Sequence, residues 1–97
     1  MNKRDTQSIG AALSDFFENN TFFRLKFAEH RVVRGWYDLL GDSVASYTRN
    51  VYYRNDVLHV QLSSSVLRAE LQMHKEDLIK RLNEYAGMSV IRDIVLR

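Results

Sequence analysis

The chain has 97 residues and a mass of 11.4 kDa, room for one domain with one modest core, since domains usually run to roughly 100–150 residues and a chain this size buries about 60–65% of its unfolded surface. Its 45% hydrophobic and 27% charged residues exclude wholesale disorder, and the absence of cysteine removes disulfides, thiolate chemistry and nearly every structural zinc site. With 14 Lys+Arg against 12 Asp+Glu and a pI near 9.1 the balance is mildly basic, which permits a nucleic-acid partner without requiring one.

No apolar run approaches the roughly 20 residues of a membrane span, and no apolar segment backs the charged start Lys3-Arg4-Asp5. A cytoplasmic protein with no membrane partner and no signal peptide is expected, with residues 1–5 flexible. From about Thr6 to Asn19, Ile9, Ala12, Leu13 and Phe16 share one helical face. Thr21 then caps a longer helix, whose apolar stripe Phe22, Leu25, Ala28, Val32, Trp36 and Leu39 recurs at spacings of three and four and is widened by Phe23, Phe27 and Val33. Gly35 marks either a close packing contact or a break. Gly41 ends the helix, and Asp42 or Ser43 caps one more turn through Ser46.

A hairpin follows. Tyr47 to Arg54 and Val57 to Ser63 are rich in β-formers, and Asn55-Asp56 between them tolerates the positive φ of a two-residue turn. That turn sets Arg54 opposite Val57, Tyr53 opposite Leu58, Val51 opposite Val60 and Arg49 opposite Leu62. Val51, Tyr53, Leu58, Val60 and Leu62 then meet the helices, while Asn50, Tyr52, Arg54, Val57, His59 and Gln61 face water or a partner. The serines at 63–65 read as a helix N-cap rather than a nucleophile cluster, because no glycine elbow surrounds them. The last helix is expected from Val66 to Ala86, with Leu67, Leu71, His74, Leu78, Leu82 and Tyr85 buried, Glu70 as a hydrogen-bond partner for His74, and Gly87 closing it. Val90 to Arg97 reads as a third strand, with either Ile91 and Val95 or Val90, Ile94 and Leu96 facing inward. The order α-α-(short α)-β-β-α-β gives an α+β two-layer domain, a three-stranded sheet with its helices on one face.

Chemistry finds few candidates. The histidines at 30, 59 and 74 lack metal-ligand spacing, and Walker A, GxGxxG and HExxH motifs are absent, so neither an enzyme nor a cofactor is expected. Binding has more behind it. Tyr52, His59 and Arg54 on the wet sheet face combine rings with a cation, the pairing single-stranded nucleic acid needs for base stacking and phosphate contact. Arg24, Lys26, Arg31 and Arg34 form a second basic group on the long helix. The competing readings are an ordinary solvated sheet face and an ordinary solvated helix face.

Three segments, in order, resemble a known family. Val33-Arg34-Gly35-Trp36-Tyr37-Asp38-Leu39-Leu40-Gly41 with Val44-Ala45-Ser46-Tyr47-Thr48 is similar to a W-x-x-(I/V/L)-(V/L)-G-x-x-(L/V)-A-x-(H/Y)-T segment. Val57-Leu58-His59-Val60-Gln61-Leu62-Ser63-Ser64-Ser65 with Leu67, Glu70-Leu71 and Lys75 is similar to L-x-V-x-(V/L)-x-S-x-x-(L/W)-x-x-E-L with a lysine shortly after, and Leu78, Leu82-Asn83, Gly87 and Ile91-Arg92-Asp93-Ile94 fit the ending. These segments belong to DciA-type proteins, loaders or operators of the bacterial replicative helicase, and the likeness covers residues 8 to 97. It implies a KH-like domain, contact with the replicative helicase, and binding to single-stranded or forked DNA. The chain has no GxxG where a true KH module clamps a nucleic-acid backbone, so binding must use another surface. An RNA-binding or purely protein-interaction module on the same fold is the alternative.

Overall fold

A computed structural model describes residues 10–12 and 19–97. Apart from helical backbone at 10–12 and 19, the first expected helix and the flexible residues 1–5 lie outside the described residues. The described elements are α1 (Thr21–Tyr47), β1 (Thr48–Arg54), β2 (Val57–Leu62), α2 (Ser65–Met73), α3 (Lys75–Ala86) and β3 (Asp93–Leu96). Among the described residues no helix is long and apolar enough to cross a membrane.

Asn20, one residue before the expected cap, starts α1: its backbone is extended and its Oδ1 accepts from the Phe23 N–H at 3.0 Å. Asparagine serves this role at least as well as threonine. At Gly41 φ is 79°, a left-handed value that breaks the helical path, and the chain then resumes a helix to Tyr47, as expected. The join to the sheet runs through Thr48, whose Oγ1 accepts from the Trp36 indole N–H at 3.1 Å and donates to the Val44 carbonyl at 2.8 Å.

The hairpin has the expected register near its turn: Arg54 faces Val57, Tyr53 faces Leu58 and Val51 faces Val60. Asn55 and Asp56 carry φ of 50° and 65°, the two positive values that a type I′ turn demands. The Tyr53 hydroxyl donates to Asp56 Oδ1 at 2.8 Å and braces the turn. Further out the register shifts between Thr48 and Asn50, so Leu62 pairs with Thr48 and not with Arg49. Arg49 is the extra residue of a bulge, which alternation alone does not reveal.

The expected single helix from Val66 to Ala86 is two. Ser64 caps α2, its hydroxyl accepting from the Leu67 N–H at 3.1 Å. His74 (φ −110°, ψ 17°) then separates α2 from α3. The bend takes His74 out of the expected buried stripe: it is exposed, and so is Glu70. Asp77 and Arg81, one turn apart on α3, pair at 2.9 Å, and Gly87 closes α3 in the left-handed region. The two helices carry the chain across the sheet, because parallel strands cannot be joined by a tight turn. β3 then lies parallel to β2, with Leu58 beside Ile94 and Val60 beside Leu96, in the strand order β1-β2-β3.

Asn83 organises the approach to β3. Its Oδ1 accepts from the N–H groups of Val90 and Ile91 at 2.9 and 3.0 Å, and its Nδ2 donates to the Ile91 carbonyl at 2.9 Å. Val90, Ile91 and Ile94 are all buried, so both alternatives for the third strand contribute to the core: Ile94 from the strand, Val90 and Ile91 from the loop before it. Arg92 N–H donates to the Asp56 carbonyl at 2.8 Å, and Lys75 meets Asp93 at 3.0 Å, fixing where β3 begins.

The core lies between the helices and one sheet face. Leu58, Val60, Leu62 and Ile94 meet Ala28, Val32, Trp36, Leu71, Leu78 and Leu82, and burying each large apolar side chain contributes about 1.5–3 kcal/mol. Val51 and Tyr53 are half-buried at its margin. Gly35 settles as a close packing contact: a Cβ there would stand 2.8 Å from Tyr85 Cδ1. The apolar stripe of α1 is buried only from Ala28 to Trp36. Phe22, Phe23, Phe27 and Leu39, expected in the core, are exposed, while Leu25, Leu40 and Val44 are partly buried against it.

Candidate nucleic-acid interface

The face of the sheet turned away from the core is built by alternation. Inward Leu58, Val60 and Leu62 leave Val57, His59 and Gln61 outward on β2. The hairpin register sets Asn50 beside Gln61, Tyr52 beside His59 and Arg54 beside Val57. On β3, inward Ile94 puts Val95 beside His59. Arg97 continues that edge, since its N–H donates to the Val60 carbonyl at 2.9 Å and its carbonyl accepts from Leu62 N–H at 2.7 Å.

Tyr52 and His59 are cross-strand partners, and their rings stack with centroids 4.7 Å apart and planes within 3°. The centroid separation equals the spacing of neighbouring strands, roughly 4.7–4.9 Å, so the rings stack directly across the pair. Tyr52 is 43% exposed, as expected. His59, expected to be as open, is half-buried: Tyr52 covers one face, and Nδ1 is sealed from solvent with no hydrogen-bond partner. Beside the rings is a depression of about 160 Å³ lined by Asn50, Tyr52, His59, Val60, Gln61 and Arg97.

The basic group on α1 lies in the helical layer, on the other side of the sheet from Tyr52, and is itself divided. Arg24 and Arg31, two turns apart, line a depression with Phe27 and Met88. Lys26 meets Glu29 at 3.6 Å and stands 5.7 Å from the Phe22 ring centre. Arg34 meets Asp38 at 3.7 Å. Arg31 Nη2 donates to the Tyr85 carbonyl at 2.9 Å, and its guanidinium lies over the Tyr85 ring. The Tyr85 hydroxyl donates to Asp38, which holds it above the ordinary tyrosine range, with burial adding to the effect. Three of the four expected cations are thus engaged in tying α1 to itself or to α3, and Arg31 serves the packing first.

The structure brings Tyr52, His59 and Arg54 onto one face and keeps Arg24, Lys26, Arg31 and Arg34 apart from it. Arg97 is the residue that sequence reasoning passed over. Its place depends on the phase of β3, and the run Val90, Ile91, Ile94, Val95, Leu96 is apolar at both phases. Among the described residues no group of three or more His, Cys, Asp or Glu is placed to hold a metal ion.

Compared with protein families, residues 8–96 match the model described as DciA, Dna[CI] antecedent. Neither a curated protein nor a solved structure matches the chain.

Proposed function

We propose that this chain, which belongs to the DciA family, is a non-catalytic DNA-binding accessory module that associates with the replicative helicase in the bacterial cytoplasm and helps place it on single-stranded or forked DNA. The observation that carries the DNA half is the Tyr52–His59 stack on the open sheet face with Arg54 on the same face. Rings offer stacking to bases of any sequence, and a guanidinium meets phosphate. The helicase half rests on family membership and on the same segments, Trp36 to Gly41 and Leu58 to Leu71, that build the α1 core and β2.

A chain without a phosphate-gripping loop cannot spend ATP, so it acts through binding energy alone. A ligand shifts an equilibrium only by its differential affinity for two states. The module must therefore hold the helicase ring better in a loadable state than in a closed one, or tether it to single strands. Two surfaces are needed. The open sheet face serves DNA, and the helical layer with Arg24 remains for protein. With three to five phosphates neutralised, the log–log salt slope for single strands is about −2 to −3.5.

The test mixes the purified domain with its own organism's helicase and fork DNA, and follows complex formation and unwinding. Association that changes loading or unwinding is expected. If neither changes at tens of micromolar, roughly where even modest interfaces show, the helicase role falls. Binding that ignores salt and Arg54→Glu points to a protein-interaction module instead.

A further inference from the structure

The depression beside the Tyr52–His59 stack has a more specific chemistry than the face around it. It lies between two cross-strand rows: Tyr52 with His59 on one side, and Asn50 with Gln61 on the other. Rows two residues apart on one strand face stand roughly 6.6–7 Å from each other, and Val60, whose side chain points into the core, lends its backbone to the floor. Arg97 closes the β3 side. A depression of about 160 Å³ is well below the roughly 300–1,000 Å³ of pockets for drug-sized ligands. It suits one flat group.

Its lining is selective. Two carboxamides each offer donors and an acceptor, which is what the hydrogen-bonding edge of a nucleobase requires. Aspartate and glutamate side chains are absent from the lining, and its one charged side chain is a guanidinium, whose planar fork fits phosphate oxygens. His59 Nδ1 is buried without a partner, and a buried orphan of this kind calls for a reason. Here the ring is held flat against Tyr52 in spite of it, which keeps the stack in place before any ligand arrives.

We infer that this depression seats one unpaired nucleotide, with its base packed against the ring edges that Tyr52 and His59 turn toward Asn50 and Gln61, its polar edge met by those two amides, and its phosphate held by Arg97. The inference rests on the DNA-binding reading above and adds to it that the face grips a base and not the sugar–phosphate backbone alone.

The experiment is fluorescence anisotropy with two single strands of equal length, oligo(dT) and an abasic backbone. The whole chain is used throughout, with circular dichroism on every variant. The wild type should bind oligo(dT) about 2- to 13-fold more tightly than the abasic strand, the span of an edge-to-face ring contact. Tyr52→Ala should erase that ratio while leaving abasic binding unchanged, and Tyr52→Phe, which keeps the ring, should retain it. Arg97→Gln should weaken both strands alike and lower the salt slope by about one. The ratio is internal to each variant, so a general loss of stability does not imitate the result. If the wild type binds both strands equally, or if Tyr52→Ala keeps the ratio, the nucleotide seat is refuted while DNA binding stands. If neither strand binds, the DNA-binding reading is refuted and the seat with it. Tighter binding of oligo(U), with the same dependence on Tyr52, keeps the seat and assigns it to RNA.

Discussion

Gly35→Ala sets two known effects against each other at one position. Gly35 lies in the interior of α1, where alanine is favoured by about 1 kcal/mol through helix propensity. Against that, the added Cβ would meet Tyr85 Cδ1 at 2.8 Å, Tyr85 Cε1 at 3.3 Å and Leu82 Cδ2 at 3.3 Å. The leucine methyl is the end of a flexible chain and gives way. The tyrosine ring is fixed at three points: its hydroxyl on Asp38, its face under the Arg31 guanidinium, and its own carbonyl accepting from Arg31 Nη2. Forcing a methyl into a packed contact costs about 1–3 kcal/mol. With the ring unable to retreat cheaply, the cost outweighs the propensity gain and a net loss of up to about 2 kcal/mol is expected. For a chain this size that lowers the melting temperature by up to roughly 16 °C, at about 4–8 °C per kcal/mol. Urea unfolding gives the free energy directly, provided the slope m is unchanged. A double-mutant cycle identifies the cause: in a Tyr85→Ala background the same Gly35→Ala change should become stabilising, because only the propensity remains. A single Gly35→Ala variant more stable than the wild type would refute the claim that Tyr85 is held in place.

The remaining predictions concern the core, the loop before β3 and the hairpin turn. Trp36→Ala, at a fully buried site, should cost about 3–5 kcal/mol; an unchanged melting temperature by circular dichroism would show that Trp36 does not hold the core together. Asn83→Ala removes three hydrogen bonds to buried backbone and should cost about 2–4 kcal/mol at roughly 1 kcal/mol or more per orphaned group, with faster hydrogen exchange at the Val90 and Ile91 amides as its signature. Burial first, and the hydrogen bond to Asp56 second, push the Tyr53 hydroxyl from its ordinary value of 10.0 up to about 12. Because the fold favours the protonated phenol, that stabilisation is complete below pH 10.0 and is lost as the pH rises towards about 12. Tyr53→Phe should flatten the fall in melting temperature across that window, with Tyr85 supplying what slope remains; an unaltered slope would contradict the assignment.

Several elements were legible in the residues because their signal is local. Asn55-Asp56 dictates a turn and the turn dictates a register, which by itself places Tyr52, His59 and Arg54 on one face. The failures share a different cause. Leu67, Leu71, Leu78 and Leu82 keep helical spacing straight through His74, so periodicity cannot register the bend between α2 and α3. Phe22, Phe23 and Phe27 continue the α1 stripe in sequence, yet a stripe says nothing of where the opposing layer stops. The bulge at Arg49 costs one residue of pairing and leaves no compositional mark. At the site, alternation located the rings but not their stacking, and Arg97 depended on a strand whose apolar residues fit either phase.

The bulge also bears on how copies of the chain meet. Among the described residues β1 pairs with β2 alone, so its other side is a rim of backbone donors and acceptors, the feature by which sheets in separate molecules zip together. The irregular residue on that rim is Arg49, and Arg54 stands at its far end; both are exposed. A kinked rim with a cation at each end makes a poor template for an incoming strand, and poorest for a second copy bearing the same charges. Crowded solutions of this protein should therefore resist edge-to-edge growth into fibrils, which leaves the broad face of the sheet, and not its border, for recognition.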